Sequence, residues 1–192
     1  MSEEIEYIKK LDGAKRHLRA GITLFFERWD QAVVHTVVAA GHNVFRDILK
    51  AQGGENPSGL LDLEGIRDEY KSDLYRLLRA PKNFFKHADR DPDPDGSIKM
   101  VEFYNEVFIA DACSMHLNIV SKNCVETLIF MCWFHINRRK FIKLSPASMK
   151  AAKIIDAAAN LPHLDHQMGL ELIRFGRKFP SSLGPNYSDL DW

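Results

Sequence analysis

The residues best able to do chemistry crowd into one stretch. Between positions 79 and 91 the chain carries Arg79, Lys82, Asn83, Lys86, His87, Asp89, Arg90 and Asp91 around a single proline, Pro81. Proline suits the first turn of a helix and breaks a helix interior, so the spacing predicts a break near Ala80 and a fresh short helix opening at Pro81. The unbonded N–H groups of such a turn, with Lys82 and Asn83 beside them, make an anion or phosphate site. His87 follows Asn83 by four residues and shares its face, and Asp91, four further on, would hold the imidazole tautomer and raise its basicity. Cations that stabilise developing charge beside a histidine that moves a proton suit phosphodiester chemistry. His87, Lys82 and Asn83 are therefore the catalytic candidates, Arg79, Lys86 and Arg90 the supporting anion-binding cations, and Asp91 the orienting group. The plainer alternative puts Phe84 and Phe85 in a core, with the charges on a solvated face opposite.

Lys82-Asn83-x-x-x-His87 resembles the RNxxxH form of the Rx(4-6)H motif of HEPN domains. The resemblance rests on the motif and the helical layout around it. It implies an all-α fold that pairs as a homodimer, acting without a metal cofactor as a ribonuclease of a toxin–antitoxin or phage-defence type, with RNA as substrate and an antitoxin as a partner. Carried over by position, His87 would be the catalytic histidine, Asn83 the polar residue after the cation, and Lys82 would stand where the family has arginine. Lysine lacks the planar fork that clamps a phosphate. Arg79 and Arg90 are out of step with the motif. The alternative from another class is a non-catalytic binding or scaffolding bundle whose cleft holds a nucleotide or an acidic group of a partner.

A metal reading overlaps this segment. Asp91-x-Asp93-x-Asp95-Gly96 followed by Glu102 meets the EF-hand loop pattern, with Ile98 at the apolar position and Phe103 after the glutamate. It offers calcium, through Asp91, Asp93, Asp95 and Glu102, as the alternative cofactor. Pro92 and Pro94 oppose it by pushing Asp91 and Asp93 to extended geometry, and the competing expectation is a solvated acidic turn before a helix. Cys113-x-x-His116 and Cys132-x-x-His135 have zinc-like spacing, yet buried cysteines acting as small hydrophobes explain them more simply. His35 with His42, and His163 with His166, lie on helix faces that a bundle core could gather; surface or hydrogen-bonded core histidines are the simpler account. GxGxxG, GxxxxGK[ST], GxSxG and HExxH are all missing, so dinucleotide, P-loop, hydrolase-elbow and zinc-protease chemistry have no motif here.

The elements that must position these residues are helices. Apolar residues recur at helical spacing through Leu18, Ile22, Phe25 and Phe26, then through Val33, Val37, Val38, Val44, Phe45 and Ile48, with Asp30 placed to cap the second helix. Residues 53 to 59 read as a loop, and Asp62 offers the cap of a helix carrying Leu63, Ile66, Tyr70, Leu74 and Leu77. Two apolar helices follow at about 100 to 120 and 124 to 140, then a pair at about 146 to 160 and 162 to 178, each opened by a proline. Residues 97 to 104 are the one stretch that would also suit a short strand. The expectation is a single all-α domain over 1–179, a helical bundle with two long N-terminal helices, and a C-terminal tail over 180–192 whose Tyr187, Leu190 and Trp192 dock on the body.

Composition agrees with that picture. The chain has 192 residues, 45% hydrophobic and 27% charged, values that exclude wholesale disorder. Its 26 basic and 26 acidic residues cancel, so a polyanion partner must meet a local patch. Three cysteines without a CxxC point to a reducing compartment, and a charged N-terminus without long apolar runs predicts a cytoplasmic protein that neither enters nor crosses a membrane.

Overall fold

Helical periodicity becomes helices wherever the chain is described. The computed structural model describes residues 6–53, 68–86, 92–120, 124–138 and 163–179, within which the side chains of Leu74, Tyr75, Leu77, Leu78, Arg79 and Lys82 are not described. Six helices lie there: α1 (Lys10–Phe26), α2 (Gln31–Ala51), α3 (Asp68–Lys86), α4 (Glu102–Val120), α5 (Val125–Asn137) and α6 (His166–Lys178). No strand occurs among the described residues, so the fold is all-α and residues 97–101 lead irregularly into α4. None of these helices is long and apolar enough to cross a membrane.

α1 and α2 form an antiparallel hairpin. Arg28 turns the chain with a φ of 58°, and the Asp30 carboxylate accepts from the backbone N–H groups of Ala32 and Val33 at 2.9 and 3.2 Å, as its cap position predicts. The two helices nearly touch at glycines. A Cβ built on Gly41 would stand 2.7 Å from the Ala14 carbonyl oxygen, and one on Gly21 would stand 2.3 Å from Val38 Cγ2.

α4 lies at the centre, packed by α1, α2, α3 and α5. Every residue from Asn105 to Cys113 is buried, so this helix has no solvated side, and its polar residues need partners inside the protein. Around it Phe25 meets Phe26, Phe130 and Trp133 edge to face, and Phe26 meets Trp133 likewise, at ring separations of 5.1–5.9 Å. α6 closes this cluster against α1 and α5, with Gly169 set on the Phe26 ring.

Three expectations are corrected. α3 runs through Pro81 without a break, so no new helix begins there. α6 opens at His166, capped by Asp165 through the Met168 N–H at 2.8 Å, rather than at Pro162. α5 ends at Asn137 rather than near 140, and Arg138 turns inward to the buried Glu106. The expected loop at 53 to 59, the cap at Asp62, the helix at 146 to 160 and the tail at 180–192 lie outside the described residues, save Gly53 at the end of the α2 turn.

Candidate functional site

The continuity of α3 changes the chemistry around Pro81. A proline inside a helix removes its own N–H and crowds the carbonyl four residues back, but the N–H groups after it rejoin the helical ladder. Pro81 is buried and the helix continues to Lys86. The predicted mouth of free backbone N–H groups is therefore absent, and any anion held here must be held by side chains.

Of the motif residues, Asn83 and Lys86 are exposed on the last turns of α3. Phe84 is half-buried beside Gly96, and Phe85 meets it edge to face at 5.3 Å while remaining 41% exposed. The side chains of Arg79 and Lys82, and the whole of His87, Arg90 and Asp91, lie outside the described residues.

Phe85 and Lys86 form one wall of a cavity of about 350 Å³ between α3 and α2, whose other wall is His35, Thr36, Ala39, Ala40 and Asn43. The two alanines open the space, because nothing larger fills the gap between the helices. His35 backs the cavity in a fixed pose, stacked on Phe108 at 4.6 Å with its Nδ1 3.0 Å from Asn105 Oδ1. The Asn105 amide nitrogen donates to the Gln31 carbonyl and to Gln31 Oε1, at 2.9 and 2.8 Å. Its Oδ1 is thus an acceptor, so His35 carries a proton on Nδ1. Two helical turns on, His42 also meets the Phe108 ring, at 4.3 Å, with Nε2 2.8 Å from Asp111 Oδ2. These histidines are the hydrogen-bonded core residues that the simpler account describes.

No family model, no curated protein and no solved structure matches this chain.

The described part of the acidic loop is a turn that the Asp93 side chain closes onto the backbone. Asp93 Oδ1 accepts from the Asp95 N–H at 3.0 Å, and the Asp93 carbonyl accepts from the Gly96 N–H at 3.1 Å. Glu102 opens α4, and its Oε1 lies 2.7 Å from His166 Nε2 on α6, away from the turn. Among the described residues no group of three or more His, Cys, Asp or Glu side chains is gathered as a metal would need. His116 is buried against the Phe45 ring rather than joined to Cys113, and burial, followed by Lys15, drives its pKa down to about 4. Burial likewise raises the thiols of Cys113, Cys124 and Cys132. All three are free.

A buried ionic cluster was not foreseen. Glu126, fully buried, receives Arg19 Nε and Nη2 at 3.1 Å each and Arg177 Nε at 2.7 Å. The available signal was the one charged residue, a glutamate, in the first turn of the mostly apolar stretch Cys124 to Phe134, and Arg19 in register with Ile22 and Phe26 on the buried stripe of α1. Such charges are retained inside only when paired.

Proposed function

We propose that this chain is a HEPN-like RNA-binding protein of the cytoplasm, that single-stranded RNA lies along the α2–α3 groove, and that the motif at the end of α3 cleaves it without a metal. The observation that carries this reading is the groove wall formed by Phe85 and Lys86, two residues of the motif that immediately precede His87 in the sequence. An exposed ring offers a stacking platform for a base, and a neighbouring ammonium suits the phosphate that follows it; together they are the usual means of holding single strands. Thr36 on the facing helix donates its hydroxyl to the Ala32 carbonyl at 2.8 Å, which leaves its oxygen to accept from a base edge or a ribose.

In the cleavage step the 2′-oxygen attacks the adjacent phosphorus, the P–O5′ bond breaks, and His87 removes the 2′ proton or returns one to the departing 5′ oxygen. Lys82, Asn83 and Lys86 would stabilise the equatorial oxygens by charge and hydrogen bonding. With Pro81 inside the helix no backbone N–H groups assist them. That favours, as the second reading, a protein that holds RNA without cutting it. A homodimer and an antitoxin partner belong to the catalytic reading, and light scattering of the purified chain tests the first of these.

The deciding experiment incubates a labelled single-stranded RNA with the protein in EDTA. Cleavage by the parent and its loss in His87→Ala support the catalytic reading. Retained binding with intact RNA supports the second, and binding unchanged in the Phe85→Ala/Lys86→Ala double variant would remove the groove from both.

A further inference from the structure

α6 carries two apolar faces, and the core takes only one of them. Gly169, Leu170, Ile173 and Gly176 are buried where this helix packs on α1 and α5. Leu172, Phe175 and Phe179 succeed one another at helical spacing along a second face, where they stand 40%, 54% and 44% exposed. The two rings are 5.0 Å apart, and Lys178 Nζ lies 5.4 Å from the centre of the Phe179 ring. Two cations, Arg174 and Lys178, project beside this face, exposed and without an ion pair among the described residues. The one acid of α6, Glu171, accepts from the Gln167 amide at 2.8 Å. A contiguous row of large apolar side chains with a charged margin is the surface of a docking site.

Size and charge narrow the occupant. With about 200 Å² for each side chain and roughly half of it exposed, the face offers about 300 Å², well under the ~800 Å² that each partner gives to a stable protein interface. A second copy of the chain therefore has too little to hold here. A short tethered segment needs less, because tethering presents it at an effective concentration on the order of millimolar. Residues 180–192 leave α6 directly from Phe179 and carry Leu183, Tyr187, Leu190 and Trp192, with Asp189 and Asp191 and neither lysine nor arginine. Gly184-Pro185-Asn186 is turn-forming sequence that suits a reversal of direction. From Tyr187 to Trp192 an extended chain reaches up to about 20 Å, while the helix face from Phe179 back to Leu172 is about 10 Å long. In extended geometry Leu190 and Trp192 share one side and Asp189 and Asp191 the other. The apolar side then meets the face while the carboxylates stay in water, within reach of the long side chains of Arg174 and Lys178.

We propose that the second apolar face of α6 is the seat of the chain's own residues 187–192, with Tyr187, Leu190 and Trp192 covering Leu172, Phe175 and Phe179, and with Asp189 and Asp191 drawn to Arg174 and Lys178. This seat is independent of the groove assigned to RNA.

Hydrogen exchange of the full chain, read by mass spectrometry, tests this against a synthetic peptide of residues 180–192. Amides of 187–192 should exchange at least about tenfold more slowly in the chain than in the peptide. Phe175→Ser, a change at an exposed position, should return them to the peptide's rate while the amides of α6 stay protected. Leu172→Ser gives the same reading should Phe175→Ser loosen α6. The Asp189→Asn/Asp191→Asn double variant should lose part of the protection, as should the parent in high salt. Tail amides that exchange at the peptide's rate in the parent overturn the proposal. Protection that survives both serine variants also overturns it, since the tail would then lie elsewhere. Protection that rises with protein concentration, with a dimer in light scattering, would place the tail on a second copy and overturn it as well.

Discussion

Buried ionisable residues set how this protein responds to acid. His116 is neutral in the fold because burial lowers its pKa from 6.5 to about 4, and His166 is lowered in the same direction, chiefly by burial against the opposing pull of Glu102. Both rings bind a proton more readily when unfolded, so stability is full above pH 6.5 and falls as the pH drops towards 4. For His116 the loss is on the order of 3 kcal/mol across that interval. Glu126, with its pKa below 4.5, contributes stability above that pH and loses it as the pH falls through its lower native value. Urea unfolding in buffers from pH 7.5 to 4 should show this decline, and His116→Leu should flatten it; equal slopes in parent and variant would refute the assignment. Glu126→Ala strands two guanidiniums, one of them buried, and should cost about 3–5 kcal/mol, read from the urea midpoint.

At the scale of the element, glycine and proline carry the sharpest expectations. Gly41→Ala would normally favour a helix by about 1 kcal/mol, yet here its methyl would stand 2.7 Å from the Ala14 carbonyl, backbone that cannot rotate aside. The hairpin must part, so the variant should melt well below the parent. Pro81→Ala should act in the opposite sense. It restores an N–H to the carbonyl of Leu77 inside α3, and the gain of up to about 3 kcal/mol is reduced by lost ring packing and by a freer unfolded chain. A net rise in melting temperature is the expected outcome. A proline at the first turn of a helix, as the sequence alone suggests, would make that change nearly neutral. The features read correctly from the sequence are local events: Asp30 reaches N–H groups two and three residues away, and the apolar stripes of α1 and α2 repeat within a turn. The ladder across Pro81 was hidden because propensity favours a break, while burial of that residue in a packed helix overrides it.

For the whole molecule, equal numbers of acidic and basic residues mean that no overall field gathers RNA. Binding in the α2–α3 groove should therefore depend on salt only weakly, with a slope set by a few phosphate contacts at about 0.7 per contact. Lys86→Ala should reduce the slope by about one contact, measured by fluorescence anisotropy at several salt concentrations. A steep slope that Lys86→Ala leaves unchanged would place RNA on some other surface.

The amino-acid order by itself determined that this chain is helical, roughly where its helices lie, and which residue starts α2, because those outcomes depend on neighbours three and four positions away. Tertiary structure alone decided the pairings: His35 with Asn105, His42 with Asp111, and Glu126 with Arg19 and Arg177, partners separated by 51 to 107 positions. A helix records in its own periodicity that one face is buried. Which charge or amide meets a polar residue on that face follows only from the crossing of one helix over another, and in this bundle the central α4, with no side left to solvent, draws its polar partners from the helices around it.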